Sequence, residues 1–225
     1  MPDSNPPPLD RPQDAGFDAG AAAALVSGAA TLGVTLTDAD AGRLLRLLAE
    51  LARWNRHTNL TAITAPAAMI THHLLDSLAV HGDLAGVRIL DAGTGGGFPG
   101  LPLAVANPRR EFTLVDATAK KIRFVEHAAR TLGLDNVTAV HARVERLRPA
   151  APFDTVVARA FAPLPKLLAL VRPVCGPDTR VLAMKGRWPQ AELDAVPPGW
   201  TVVSARELAV PGLDAARSLV VLART

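Results

Sequence analysis

The sequence has almost no cysteine: Cys175 stands alone among 225 residues. A single thiol excludes an internal disulfide framework and any zinc site built on cysteine. The six histidines show no ligand spacing with nearby acids, so no metal is expected. Long apolar runs are missing too, since no stretch approaches the roughly 18 residues that a membrane span needs. The opening "MPDSNPPPLDRPQDAG" has neither the basic start nor the apolar core of a signal peptide. A soluble, cytoplasmic protein with no membrane partner is the expectation, and a monomer is its simplest form.

Acidic charge is scarce beyond the first turns of the chain. Residues 1–20 hold Asp3, Asp10, Asp14 and Asp18 against Arg11, which leaves 23 basic and 17 acidic residues in the remainder. The formal net charge of +3 therefore becomes +6 (23 minus 17) without that segment. Twenty of the 24 basic residues are arginine, whose planar fork suits phosphates and guanine edges. Codon composition produces the same excess, so charge permits a nucleic-acid partner without demanding one.

With 49% apolar residues the chain can bury the core of one ordinary α/β domain and a small addition. Three stretches are expected: a disordered tail over 1–20, rich in Pro, Asp and Gly; a helical extension over 21–84; and a catalytic domain over 85–225. Thr37 with Asp40 forms a capping pattern before Leu44, Leu47, Leu48, Leu51 and Trp54, which recur at helical spacing. A loop and a further helix are expected up to Gly82.

From position 87 the rhythm changes. The β-type runs "VRIL", "FTLV", "VTAV", "DTVVA" and "RVLAM" alternate with helices from Pro99, over about 118–132 and over about 163–171. Such alternation implies right-handed βαβ units and a parallel sheet. "TVVSARELAV" and "SLVVLA" follow with no helix between them, which implies a closing antiparallel pair.

Chemistry concentrates in "DAGTGGGFPG", residues 91–100, with five glycines after the first strand. Gly95, Gly97 and Gly100 match G-x-G-x-x-G with Asp116 farther on, so a dinucleotide such as NAD fits the outline. Charge separates the readings: a pyrophosphate at this loop would meet an acid, Asp91, where extra negative charge is unfavourable. S-adenosylmethionine has no phosphate and carries one net positive charge, so an acid ahead of the glycines suits it. Asp91 and Asp116 close the first two strands, where a ligand sits in such a sheet.

Further strings carry a resemblance. "WNRHTNLTAIT", "HHLLDSL", "ILDAGTGGGFPGLPLA", "FTLVDATAKKIRFV", "ARVERL", "VVARAFAPL" and "MKG" lie in order over roughly 37–190. The chain thereby resembles the small-subunit ribosomal RNA methyltransferase G family, also called glucose-inhibited division protein B. The resemblance implies a Rossmann-like class I methyltransferase fold: a mostly parallel seven-stranded sheet with an antiparallel last strand and a helical N-terminal extension. It also implies methylation of N7 of one guanine in 16S rRNA, free or within the small ribosomal subunit, with S-adenosylmethionine as donor. The family often has Pro where Gly96 stands, which implies a looser loop here.

By the family's pattern the cofactor touches Gly93 and Phe98 beside Gly95, Val144 and Glu145 after the third strand, and Arg159 after the fourth. Val144 also reads as ordinary core and Glu145 as a solvated charge. Candidate partners for Arg159 are the cofactor carboxylate, Asp91 or the target nucleotide, because an arginine there needs an anion. Lys120, Lys121 and Arg123 stand at a helix start, where cations are unfavourable unless an outside anion such as RNA phosphate is near. Lys121 reads as solvated; Arg123 and Lys185 are the expected substrate contacts. Asn59, His73 and Asp76 are candidates to reach the guanine, although His73 and Asp76 also read as a packing pair. N7 has a free lone pair, so no catalytic base is named. An NAD-dependent oxidoreductase and a non-catalytic RNA-binding module remain as alternatives.

Overall fold

The structure is a computed structural model that describes residues 17–225. Most of the expected tail lies outside the described residues. Helix α1 (Ala19–Thr31) starts inside its expected end, capped by Asp18, whose carboxylate accepts from the Ala21 amide. Helix α2 (Asp38–Thr58) opens on the reciprocal Thr37–Asp40 capping box and closes at Asn59 in the left-handed conformation, φ 50°.

The segment up to Gly82 is more broken than its periodicity implies. Short helix α3 (Pro66–Met69) passes into a π-helical stretch (Ile70–Leu75) and then into α4 (Asp76–Leu78). A π turn inserts an extra residue per turn and is frequent at functional sites. Here it carries His72 and His73.

Seven strands follow: β1 (Arg88–Ala92), β2 (Glu111–Asp116), β3 (Val137–His141), β4 (Phe153–Arg159), β5 (Cys175–Lys185), β6 (Trp200–Glu207) and β7 (Ser218–Arg224). Between them lie α5 (Gly100–Ala106), α6 (Ala119–Leu132), α7 (Leu164–Val171) and α8 (Gln190–Asp194). The sheet order is β3-β2-β1-β4-β5-β7-β6. The first five strands pair in parallel, and β7 slots antiparallel between β5 and β6.

Alternation along each strand divides the core into two layers. Ile89, Val157, Leu182 and Leu219 face one side with α1, α2, α5 and α6. Leu90, Val156, Val181 and Val220 face the other with α7. Consequently the N-terminal helices share a core with one face of the sheet, and the π turn hangs over the carboxyl ends of its strands.

Candidate active site at the strand ends

The reversal of strand order beside β1 opens a crevice, and the glycine loop fills its floor. Asp91 is fully buried, and its Oδ2 accepts from Thr94 Oγ1 at 2.6 Å and from the Gly100 amide at 2.8 Å. Its Oδ1 is buried with no hydrogen-bond partner among the described residues. Burial pushes the carboxyl up to about 6, although the Thr94 and Gly100 hydrogen bonds pull it down. So one oxygen of Asp91 holds the loop together and the other is left without a hydrogen-bond partner.

The loop is close-fitting. Gly93 has φ +72°, and a Cβ there would stand 2.2 Å from the Phe161 ring. At Gly100 a Cβ would come within 2.7 Å of Asp91 Oδ2. Gly96, where the family often has Pro, has only ordinary contacts, so nothing there binds the position to glycine. Asp116 accepts from the Gly95 amide at 3.1 Å and the Thr118 amide at 2.8 Å, and Lys121 Nζ lies 3.4 Å away.

A cavity of about 540 Å³ opens above this loop, bordered by Gly93, Gly95, Phe98, His73, Arg159 and Lys185 among others. That size is ordinary for a cofactor-sized ligand. With Asp76, seven of the candidates named from sequence thus share one cavity, while Asp91 and Asp116 lie outside its lining. Val144 and Glu145 do not border it: Val144 is buried in the second core layer, and Glu145 is half-buried beside it. Asn59 is exposed at the end of α2, and Arg123 is exposed on α6; neither borders the cavity.

Arg159 has a partner that sequence reasoning did not name for it. Its Nη1 donates to Asp76 Oδ2 and to the His72 carbonyl, both at 2.9 Å, and its guanidinium lies 5.6 Å from the Phe98 ring centre. The π turn causes this by laying residues 72–76 over the end of β4. Asp76, almost fully buried, also accepts from Arg217 Nε at 2.8 Å, so one carboxylate presents two arginines to the cavity. His73 and Asp76 are therefore not a pair. His73 stacks on Phe98 with ring centres 4.8 Å apart and shares a 3.0 Å hydrogen bond with Thr61 Oγ1. Burial first, then the charges of Arg159 and His72, pulls its imidazole down to about 4.

Two lysines also depart from expectation. Lys121, expected in solvent, borders the cavity, because α6 starts just after Asp116 and its first-turn side chains lean back over the strand end. Lys185 borders it too, but donates to the Ala162 carbonyl at 2.8 Å and to Glu192 Oε2 at 2.7 Å. Arg217 was missed altogether. Its signal was topological: it directly precedes β7, and an antiparallel strand begins at the end where its neighbours finish, with Ser218 opposite Lys185. Among the described residues no group of three metal-ligating side chains occurs, and no helix is long and apolar enough to cross a membrane.

A doubly wound sheet with its last strand reversed and an acid-glycine loop at the switch point defines the fold of the S-adenosylmethionine-dependent methyltransferases. Solved structures agree on that fold, among them TrmN from Thermus thermophilus (23% identity, TM-score 0.53, covering 77% of this chain and 52% of that one). Magnesium protoporphyrin IX methyltransferase of Synechocystis, solved with bound SAM, is another (14% identity, TM-score 0.57, covering 80% and 97%). The family model for rRNA small subunit methyltransferase G matches residues 41–220. Ribosomal RNA small subunit methyltransferase G of Nitrosococcus oceani is 48% identical over 198 residues, 88% of this chain and 92% of the relative. That of Azoarcus is 46% identical over 201 residues, 89% and 95%. The chain belongs to the rRNA small subunit methyltransferase G family.

Proposed function

We propose that this protein is an S-adenosylmethionine-dependent methyltransferase that modifies N7 of one guanine in 16S rRNA, acting as a cytoplasmic monomer. The observation that carries the cofactor reading is the buried, unpartnered Oδ1 of Asp91 beneath a glycine loop in which Gly93, Gly97 and Gly100 leave no room for a side chain. A buried carboxylate without a counter-charge is costly, and a cationic ligand relieves it where a pyrophosphate would aggravate it. Neither an NAD-dependent oxidoreductase nor a non-catalytic RNA-binding module draws support from the family.

In this reading residues 85–225 form the catalytic domain and residues 21–84 an extension that walls its cavity. S-adenosylmethionine would supply an electrophilic methyl group when bound. Asp116 would accept hydrogen bonds from the ribose hydroxyls, Gly93, Gly95 and Phe98 would shape the floor, and Val144 and Glu145, outside the cavity lining after β3, would back the wall on the adenine side. Arg159 and Arg217, held by Asp76, present positive charge to a carboxylate or phosphate. His73 and Asn59 belong to the guanine side, while Arg123 and Lys185 contact RNA.

The guanine N7 lone pair needs no deprotonation, so in-line positioning in the cavity can supply the rate without a general base. His73, at about 4, is neutral near pH 7 and serves as a flat wall stacked on Phe98. The test is transfer of labelled methyl to naked 16S rRNA, to a partial assembly and to the small subunit, followed by mapping of the modified base. Label at N7 of a single guanine is the expected result. No transfer to any of the three, or label on another atom, overturns the reading.

A further inference from the structure

The chain has few aromatic side chains, three tryptophans, six phenylalanines and no tyrosine. Among the described residues Trp188 is the single aromatic with an exposed ring, 43% exposed. The exposed part of an indole keeps apolar surface hydrated that a partner could cover. Its place in the chain is informative. Trp188 stands two residues after Gly186, which borders the cavity, and two residues of chain reach at most about 7 Å.

The ring is also held. Its Nε1 donates to Gln190 Oε1 at 3.1 Å, and the neighbouring Pro189 is buried. Nearby acids are engaged, Glu192 by Lys185 and Asp194 by the Gln190 amide at 2.8 Å, while Arg187, next in the chain, is exposed. Arg159, Arg217 and Lys121 add cationic groups along the cavity wall. An oriented π face two residues along the chain from a cavity bordered by cations is the kind of combination by which proteins grip unpaired RNA bases.

We propose that Trp188 is a stacking platform for an RNA base adjoining the guanine that enters the cavity, with Arg187 on the neighbouring phosphate. The assignment rests on the cavity being the site of methyl transfer to RNA. A protein partner would instead want a broader apolar patch than one ring.

The test compares wild type with Trp188→Ala, Trp188→Leu and Trp188→Phe. Methyl transfer is measured on whichever 16S rRNA form the wild type modifies, and binding on an end-labelled fragment of 16S rRNA containing the modified guanine. Loss of one stacked base corresponds to roughly a ten-fold loss of RNA affinity. The Ala and Leu variants should raise KM for RNA and weaken fragment binding by that order, while Phe restores most of it. S-adenosylmethionine affinity should not change. Leu retains apolar bulk but no ring, so it decides the matter even if Ala disturbs folding. Wild-type RNA binding by the Leu variant overturns the proposal. If wild type transfers no methyl to any RNA, the reading of the site has failed, and titration of end-labelled intact 16S rRNA alone judges Trp188.

Discussion

Two buried titratable groups in the site shift in opposite directions. Asp91 rises from 3.8 to about 6, and His73 falls from 6.5 to about 4. A raised carboxyl gives the folded state an extra proton, stabilising in acid and lost as pH rises through about 6. A lowered imidazole does the reverse: the unfolded chain takes the proton first, so stability is lost as pH falls below 6.5. Between pH 4 and 6 the two slopes offset each other, each carrying on the order of 3 kcal/mol. His73→Gln removes one side of that balance. Urea unfolding at pH 7, 5.5 and 4.5 should show the variant gaining on wild type towards acid. A gap that stays constant with pH contradicts the assigned shift. At Asp116, replacement by Ala should weaken S-adenosylmethionine binding by about 1–3 kcal/mol, through lost charge-assisted hydrogen bonds to the ribose. Calorimetry giving unchanged affinity in a folded variant would remove Asp116 from the cofactor site.

At the scale of elements, local rules decide how much the sequence reveals. The strands were legible because short apolar runs and glycine punctuation coincide, as in "VRIL" before the loop, and Gly133 likewise marks the end of α6 with φ 64°. The Thr37–Asp40 box was legible for the same reason, and Thr37→Ala should cost on the order of 1 kcal/mol in a thermal or urea melt. An unchanged melt would mean that the tertiary packing of α2 carries its start without the cap. The π turn was not legible, since no period marks one extra residue in a turn. For that reason the Asp76 bridge to Arg159 and Arg217, contributed by three distant segments, could not be foreseen. Glycines and Asp91 could be placed in the site from sequence; their hydrogen bonds could not. Helix α6 joins both kinds of result, with Lys121 turned to the cavity and Arg123 left outward. Arg123→Glu should lower RNA affinity and flatten its salt dependence, with cofactor binding intact. An unchanged salt slope would take Arg123 out of the RNA contact.

For the molecule as a whole, the question is how charge in one part of the chain acts on a polyanionic partner. The first 16 residues contribute Asp3, Asp10 and Asp14 against Arg11, so removing them leaves 23 basic and 18 acidic residues and changes the formal net charge from +3 to +5. At low salt these charges act on RNA that comes within the Debye length of about 10 Å or more. A more positive protein is drawn faster to RNA, and that attraction is screened as salt rises. A chain starting at residue 17 should therefore bind the 16S rRNA fragment several-fold more tightly at 50 mM salt, with the gain mainly in the association rate. By about 0.5 M salt the two proteins should be indistinguishable, since the cavity, the arginines held by Asp76 and Trp188 are common to both. Stopped-flow binding over that salt range separates this from a direct contact. A tail that touches RNA through its own residues would make the truncated chain bind more weakly at every salt concentration, and that outcome would overturn the electrostatic account.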